Sequence, residues 1–199
     1  MSSILQSKWT PRIIISFGLH LAYGTLLHTT VSLHEPMSFT AQSALPSPYV
    51  SSSLTTTHRS TFYEVAAKHN TDKVTADHFE FMYQKHLPAL HSRLRHCRRI
   101  KMLEISLGCG MDCGPGASYH TWLDYFGGPQ HVDLYYLGYD AACAEKWAHE
   151  ITGATIFTGD HADVSVLNKM VQESGGAFDV IVDDGGHAMA QQITSLGLL

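Results

Sequence analysis

The chain has 199 residues, 44% of them hydrophobic and 10% aromatic, which is enough for one globular core and too short for several domains. Its formal net charge of −5 leaves no basic face for a nucleic-acid interface. The 4 cysteines form no Cys-x-x-Cys pair and the 14 histidines no His-Glu-x-x-His pattern, which removes the commonest zinc sites.

Lys8 and Arg12 precede "IIISFGLHLAYGTLL", and no formal charge occurs from Ile13 to His34. A basic flank before an uncharged apolar stretch fits a signal anchor or signal peptide over residues 1–28, with membrane anchoring through residues 13–34. Ser16, Gly18, His20, Gly24 and Thr25 dilute the stretch, and its strongly apolar part is shorter than the ~20 residues of a membrane span. No small-x-small cleavage site follows, so a segment with neither role stays open, as does a cytoplasmic location. Residues 29–60 are rich in Ser and Thr, carry Pro36, Pro46 and Pro48, and keep no period; they read as a flexible linker.

Residues 61–199 form the body. Two helices are expected first, separated by a polar turn near Asn70–Thr75. Phe62, Val65 and Ala66 face one way in the first, and Phe79, Met82, Tyr83 and Leu87 recur at helical spacing in the second, as core-packing stripes do. Thr75 or Asp77 offers a cap, and Pro88 a break. The basic run Arg93, Arg95, Arg98, Arg99 and Lys101 fits a solvated helix end better than a phosphate site.

The rhythm then changes. The strands "IKMLEISL", "VDLYYLGYD", "ATIFTGD" and "FDVIVDD" alternate with the helices "ASYHTWLDYF", "AACAEKWAHEIT", "DVSVLNKMVQES" and "AMAQQITSL". Strand and helix in alternation predict an α/β, doubly wound, Rossmann-like sheet whose ligands lie beyond the carboxyl ends of its strands.

The unusual residues collect at those ends. Gly108, Gly110 and Gly114 follow the first strand with the spacing G-x-G-x-x-x-G, one residue longer than the dinucleotide fingerprint. Glycines there permit a tight turn and a close backbone approach to a ligand. Glu104, inside that strand, would disfavour a pyrophosphate and suit a cationic amino-acid end. Asp140 ends the second strand, where it is placed for two ribose hydroxyls or to cap the next helix. Asp160 ends the third, opposite an adenine amino group. An adenosyl ligand with a charged amino acid, S-adenosylmethionine, fits these acids better than NAD.

The ordered set Glu104-x-x-x-Gly108-x-Gly110, "GYD" at 138–140, "GD" at 159–160 and "DDGGH" at 183–187 resembles the class I S-adenosylmethionine-dependent methyltransferases. Within them it is most similar to the sugar O-methyltransferases of macrolide biosynthesis and their rhamnosyl O-methyltransferase and cephalosporin hydroxylase-type relatives. "HNTDKVTADHFEFMY" at 69–83 resembles the "GTDK…Y…Y" stretch before the domain in those relatives, with Asn70 in place of the glycine. Ser106 stands where many of them carry the first loop glycine.

The resemblance implies a small-molecule acceptor, a sugar or other hydroxyl compound, with Asp184 as a ligand of Mg²⁺ and His187 near the acceptor hydroxyl as its base. Asp183 is the lesser candidate, because adjacent strand residues point to opposite faces. The family's sheet has seven strands, with further acidic ligands after the fifth. Only the first four strands are evident here, so a C-terminally truncated domain is expected, as a methyltransferase fragment or as a cofactor-binding remnant without turnover. Oligomeric state is not legible.

Overall fold

The computed structural model describes residues 13–16, 59–75, 78–91, 98–111, 114–186 and 188–199. Strand β1 is Ile13–Ser16, followed by helices α1 (Phe62–Lys68), α2 (Asp72–Thr75) and α3 (Glu80–His86), and a 3₁₀ turn over Leu87–Leu90. The alternating part runs β2 (Ile100–Ile105), α4 (Ala117–Phe126), β3 (Val132–Gly138), α5 (Ala141–Trp147), β4 (Thr155–Thr158), α6 (Val164–Ser174), β5 (Val180–Asp183) and α7 (Met189–Leu198).

The strands form one parallel sheet in the order β1-β5-β2-β3-β4. Parallel strands need crossovers, and the crossover helices cover both faces, so the central strands are apolar on both sides. On one face Phe62, Val65, Tyr83 and Trp122 pack with Met102, Leu134, Val180 and Val182. On the other, Leu167 and Met170 of α6 meet Leu103, Ile105, Leu137 and Ile181. Met102 and Leu103 are neighbours in sequence yet belong to opposite cores, as the two-residue period of a strand requires. Phe62 stands with its ring centroid 4.4 Å from Tyr83 and 5.3 Å from Trp122, which fixes the N-terminal helices against α4.

Two local expectations change. The polar turn near Asn70–Thr75 contains the short helix α2, and helix α3 begins at Glu80 without a side-chain cap. The basic run is not simply a solvated helix end. Arg98 grips the buried Asp179 through both carboxylate oxygens, at 3.0 and 3.2 Å, and Arg99 pairs with Asp133 at 2.7 Å. Lys101 donates to the carbonyls of Ser174 and Gly176 at the end of α6. These cations clamp the amino ends of the strands, opposite their carboxyl ends; Arg93, Arg95 and Asp77 lie outside the described residues.

Among the described residues the sheet has five strands, one more than expected. The edge of β5 is covered by β1, with Ile13 in register with Val180 and Ser16 with Asp183. Ile13–Ser16 is therefore a strand and not the start of an anchoring helix. Consecutive β-branched residues favour the extended chain, and Ile15 is buried in the core. In the six-strand doubly wound order 3-2-1-4-5-6 the fifth strand lies beside the fourth; an N-terminal segment takes that place here. Among the described residues, no helix is long and apolar enough to cross a membrane. Residues 17–58, which hold the rest of the apolar stretch and nearly all of the expected linker, lie outside the described residues.

Candidate functional site

Because the strands are parallel, their carboxyl ends share one edge of the sheet, and the sequence-selected acids gather there. After β2, Ser106 takes φ +136°, a conformation side chains rarely adopt, and its backbone N–H donates to the Leu137 carbonyl at 3.1 Å. The loop then doubles back: the Met111 N–H donates to the Gly108 carbonyl at 3.2 Å and the Gly114 N–H to the Met111 carbonyl at 2.9 Å. Gly108 has φ +71°, while Gly110 faces open space, where even a Cβ would touch nothing within 4 Å. The loop therefore presents bare backbone to whatever lies over it.

Asp140 caps α5: its Oδ1 accepts from the N–H groups of Ala142 at 2.9 Å and Cys143 at 3.1 Å. Both bonds use one oxygen of an exposed carboxylate. Asp160 follows β4, and its Oδ1 accepts from the Ala162 N–H at 2.8 Å and the Gln191 side chain at 3.3 Å. Those two bonds, the backbone one first, hold its carboxyl below the usual range, so it is ionised at neutral pH.

The acids of β5 diverge, as alternation demands. Asp183 is buried on the α7 side, where the Ser195 hydroxyl donates to it. Asp184 turns the other way, to Lys73. That lysine, on α2, is 3% exposed and lies 2.7 Å from Asp184 Oδ2 and 2.9 Å from Glu104 Oε1. Glu104 also accepts from the Ser118 hydroxyl at 2.7 Å and from the Trp122 indole N–H at 2.8 Å. Burial alone would pull the Lys73 ammonium down, but Glu104 and Asp184 hold it well above the ordinary lysine value. Burial pushes the Asp184 carboxyl up, against the pull of Lys73. With both acids ionised, two carboxylates face one ammonium and the cluster keeps one surplus negative charge.

Lys73 is the member of this site that sequence reasoning missed. The "TDK" of the quoted stretch carries it, but a lysine in a polar turn ordinarily reads as solvated. Cysteine spacing likewise concealed a disulfide between Cys109 and Cys143, 34 residues apart, with Cα atoms 6.2 Å apart. It ties the glycine loop to the first turn of α5. His187 lies outside the described residues. Mg²⁺ asks for an octahedron of oxygens. Among the described residues no three His, Cys, Asp or Glu side chains stand together to hold a metal, and Asp184 already serves Lys73. These residues do not by themselves fit the ion.

No family model matches the chain. Among curated proteins it is 28% identical over 137 residues to L-olivosyl-oleandolide 3-O-methyltransferase of Streptomyces antibioticus. It is 29% identical over 140 residues to 8-demethyl-8-(2-methoxy-alpha-L-rhamnosyl)-tetracenomycin-C 3'-O-methyltransferase of Streptomyces olivaceus. Each match takes in 68% of this chain and 32% of the relative, so the chain spans about a third of the length of the curated relatives it matches. Among solved structures it resembles the MycE methyltransferase of the mycinamycin biosynthetic pathway, in complex with Mg and SAH. The TM-score is 0.55 at 23% identity, over 71% of this chain and 36% of that one. In sequence the chain is thus similar to S-adenosylmethionine-dependent sugar O-methyltransferases, and it shares the α/β Rossmann-like fold of the solved methyltransferase.

Proposed function

We propose that the chain binds S-adenosylmethionine over the carboxyl ends of β2, β3 and β4 and belongs to a methyltransferase acting on a hydroxyl of a sugar or similar small molecule. The observation that carries this reading is the row of acids at adjacent parallel strand ends, Glu104, Asp140, Asp160 and Asp184, around a loop of bare backbone at Gly108–Gly110. The bound cofactor supplies an electrophilic methyl on a positively charged sulfur. Gly108 and Gly110 let its amino-acid end approach the main chain. Asp140 uses Oδ1 for its helix and keeps Oδ2 for the ribose hydroxyls. Asp160, held ionised, accepts from the adenine amino group. Glu104, with Lys73 and Asp184, sets a net negative wall behind the cationic end of the ligand.

His187 takes the proton of the acceptor hydroxyl as the oxygen attacks the methyl in line. Metal assistance would recruit Asp184 together with ligands beyond the described residues, and the sugar acceptor follows the activities for which the two relatives are named. A second reading, cofactor binding without turnover, is favoured by the engagement of Asp184 with Lys73.

Calorimetry of the full chain with S-adenosylhomocysteine tests the cofactor assignment. Asp140→Ser keeps a capping oxygen and should weaken binding at least tenfold with little loss of stability. Unchanged affinity would remove the ribose role. Methyl transfer from labelled S-adenosylmethionine to a sugar acceptor separates the enzyme from the binding module.

A further inference from the structure

We infer that Gln191 is a positioning residue of the cofactor site, aiming Asp160 at the adenine amino group and tying it to the start of α7, a role that rests on the cofactor reading above. Gln191 lies in the first turn of α7, and its side-chain Nε2 donates to Asp160 Oδ1 at 3.3 Å. The other bond to that oxygen comes from the Ala162 N–H at 2.8 Å. One oxygen held from two directions fixes the plane of the carboxylate and keeps Oδ2 for the ligand.

Glutamine suits the place because its amide carries an acceptor at one end and donors at the other. While Nε2 reaches Asp160, Oε1 accepts from the Ala188 N–H at 3.4 Å, the backward reach of a third helical residue to its cap. The amide also lies directly over Gly186. A Cβ on Gly186 would stand 2.0 Å from Oε1, 2.5 Å from the amide carbon and 2.7 Å from Nε2, and these are the three nearest atoms it would meet. The φ of Gly186 is outside the left-handed region, so the Gln191 amide, and not the backbone, is what a side chain there would disturb.

The bridge links strand ends that the sheet keeps apart, since β2 and β3 lie between β5 and β4. Ser195, one turn after Gln191 on the same face of α7, donates to Asp183 at the end of β5. From the β4 side, His161 follows Asp160 directly and brings its Nε2 to 4.0 Å from Asp183 Oδ1. A Cβ on Gly185 would lie 3.1 Å from the same imidazole ring. One helix therefore sets both the acid assigned to adenine and the strand end that carries Asp184.

The test is calorimetry of the full chain with two ligands, S-adenosylhomocysteine and its 6-deamino analogue, whose purine carries hydrogen in place of the amino group. The wild-type chain is expected to favour the adenosyl ligand by at least about tenfold, because the analogue leaves Asp160 without a donor. Gln191→Met keeps the side-chain length without the amide. Gly186→Ala pushes the amide aside, which costs the fold little because it is the far end of a flexible side chain. Each variant is expected to bind S-adenosylhomocysteine about fivefold more weakly and the analogue within about twofold of wild type. Parallel loss of both ligands means that Gln191 serves only as a helix cap, and it overturns the inference. An undiminished preference for the adenosyl ligand in either folded variant does the same. Equal affinity of the wild-type chain for the two ligands also overturns it, because Asp160 then does not meet the amino group, while cofactor binding itself stands. Failure of the wild-type chain to bind either ligand overturns the cofactor reading as well. Melting curves identify the folded variants, and because the two substitutions act at different residues, either one alone carries the test.

Discussion

Replacing Lys73 by methionine should be the most damaging conservative substitution at the site. Its ammonium is the buried countercharge between Glu104, 3% exposed, and Asp184, 13% exposed, at 2.9 and 2.7 Å. Methionine refills most of the alkyl volume, so packing loss is minor and the electrostatic loss stands alone. Breaking a buried ion pair from one side costs about 3–5 kcal/mol, because the partner's charge remains without compensation. Two partners are stranded here, but Asp184 keeps some contact with solvent, so about 4 kcal/mol is expected. Against a total stability of about 5–15 kcal/mol this leaves a marginal fold. With a urea slope of about 2 kcal/mol/M the midpoint should fall by about 2 M. Trp122, whose indole N–H donates to Glu104 at 2.8 Å, supplies a fluorescence signal at the cluster itself. A double variant, Lys73→Met with Glu104→Gln, should regain at least about 1 kcal/mol by removing one stranded charge. A loss below about 1 kcal/mol in the single variant, or no recovery in the double, would refute the reasoning.

Three further outcomes are expected. Ser106→Gly relieves a side chain held at φ +136° and should raise stability by about 1 kcal/mol net, after the added chain entropy of glycine and the lost bond from the Gly108 N–H to the Ser106 hydroxyl. Differential scanning calorimetry should show Tm up by about 2–4 °C, and no rise would count against strain at that position. His91, packed between the rings of Tyr125 and Phe126, has its imidazole lowered to about 4 by burial and secondarily by Arg59. The unfolded chain therefore binds the proton first, so this residue's share of stability is present above about 6.5 and lost as pH falls towards 4. Urea titrations across that window should flatten in His91→Phe. Asp140→Ser should separate ligand affinity from helix capping, as calorimetry against its melting curve will show.

Much of this architecture is legible in the chain itself, and what escapes does so for a physical reason. Ala117–Phe126 is a helix over the span its apolar period marks, and the strands around it, β2 and β3, end just before Gly108 and Asp140, which punctuate them. Asp183 and Asp184 separate to opposite faces because alternation leaves no choice. Lys73 escapes because its partners are distant in sequence, Asp184 being 111 residues away, and no local pattern marks a lysine for burial. The disulfide escapes for the same reason, its cysteines meeting only after β2 and β3 have paired. The four residues of β1 are too few to show a period, and beside Lys8 and Arg12 their isoleucines read more readily as the start of a membrane segment. His187 was singled out by the motif, yet its position lies outside the described residues.

The pairing of β1 with β5 has a consequence for how the molecule is made. Its partners, such as Ile13 and Val180, are much farther apart in sequence than Met102 and Val180 of the β2–β5 pair. Closing so long a loop is entropically costly and slow compared with the local βα units between. During synthesis β2, β3 and β4 can assemble as they emerge, while Ile13–Ser16 waits for β5. The sheet edge beside the Asp183–Asp184 tip is therefore sealed later than the β2–β4 part of the fold. Until then it exposes unpaired backbone and three isoleucines, which makes this edge the point where premature association between nascent chains would start.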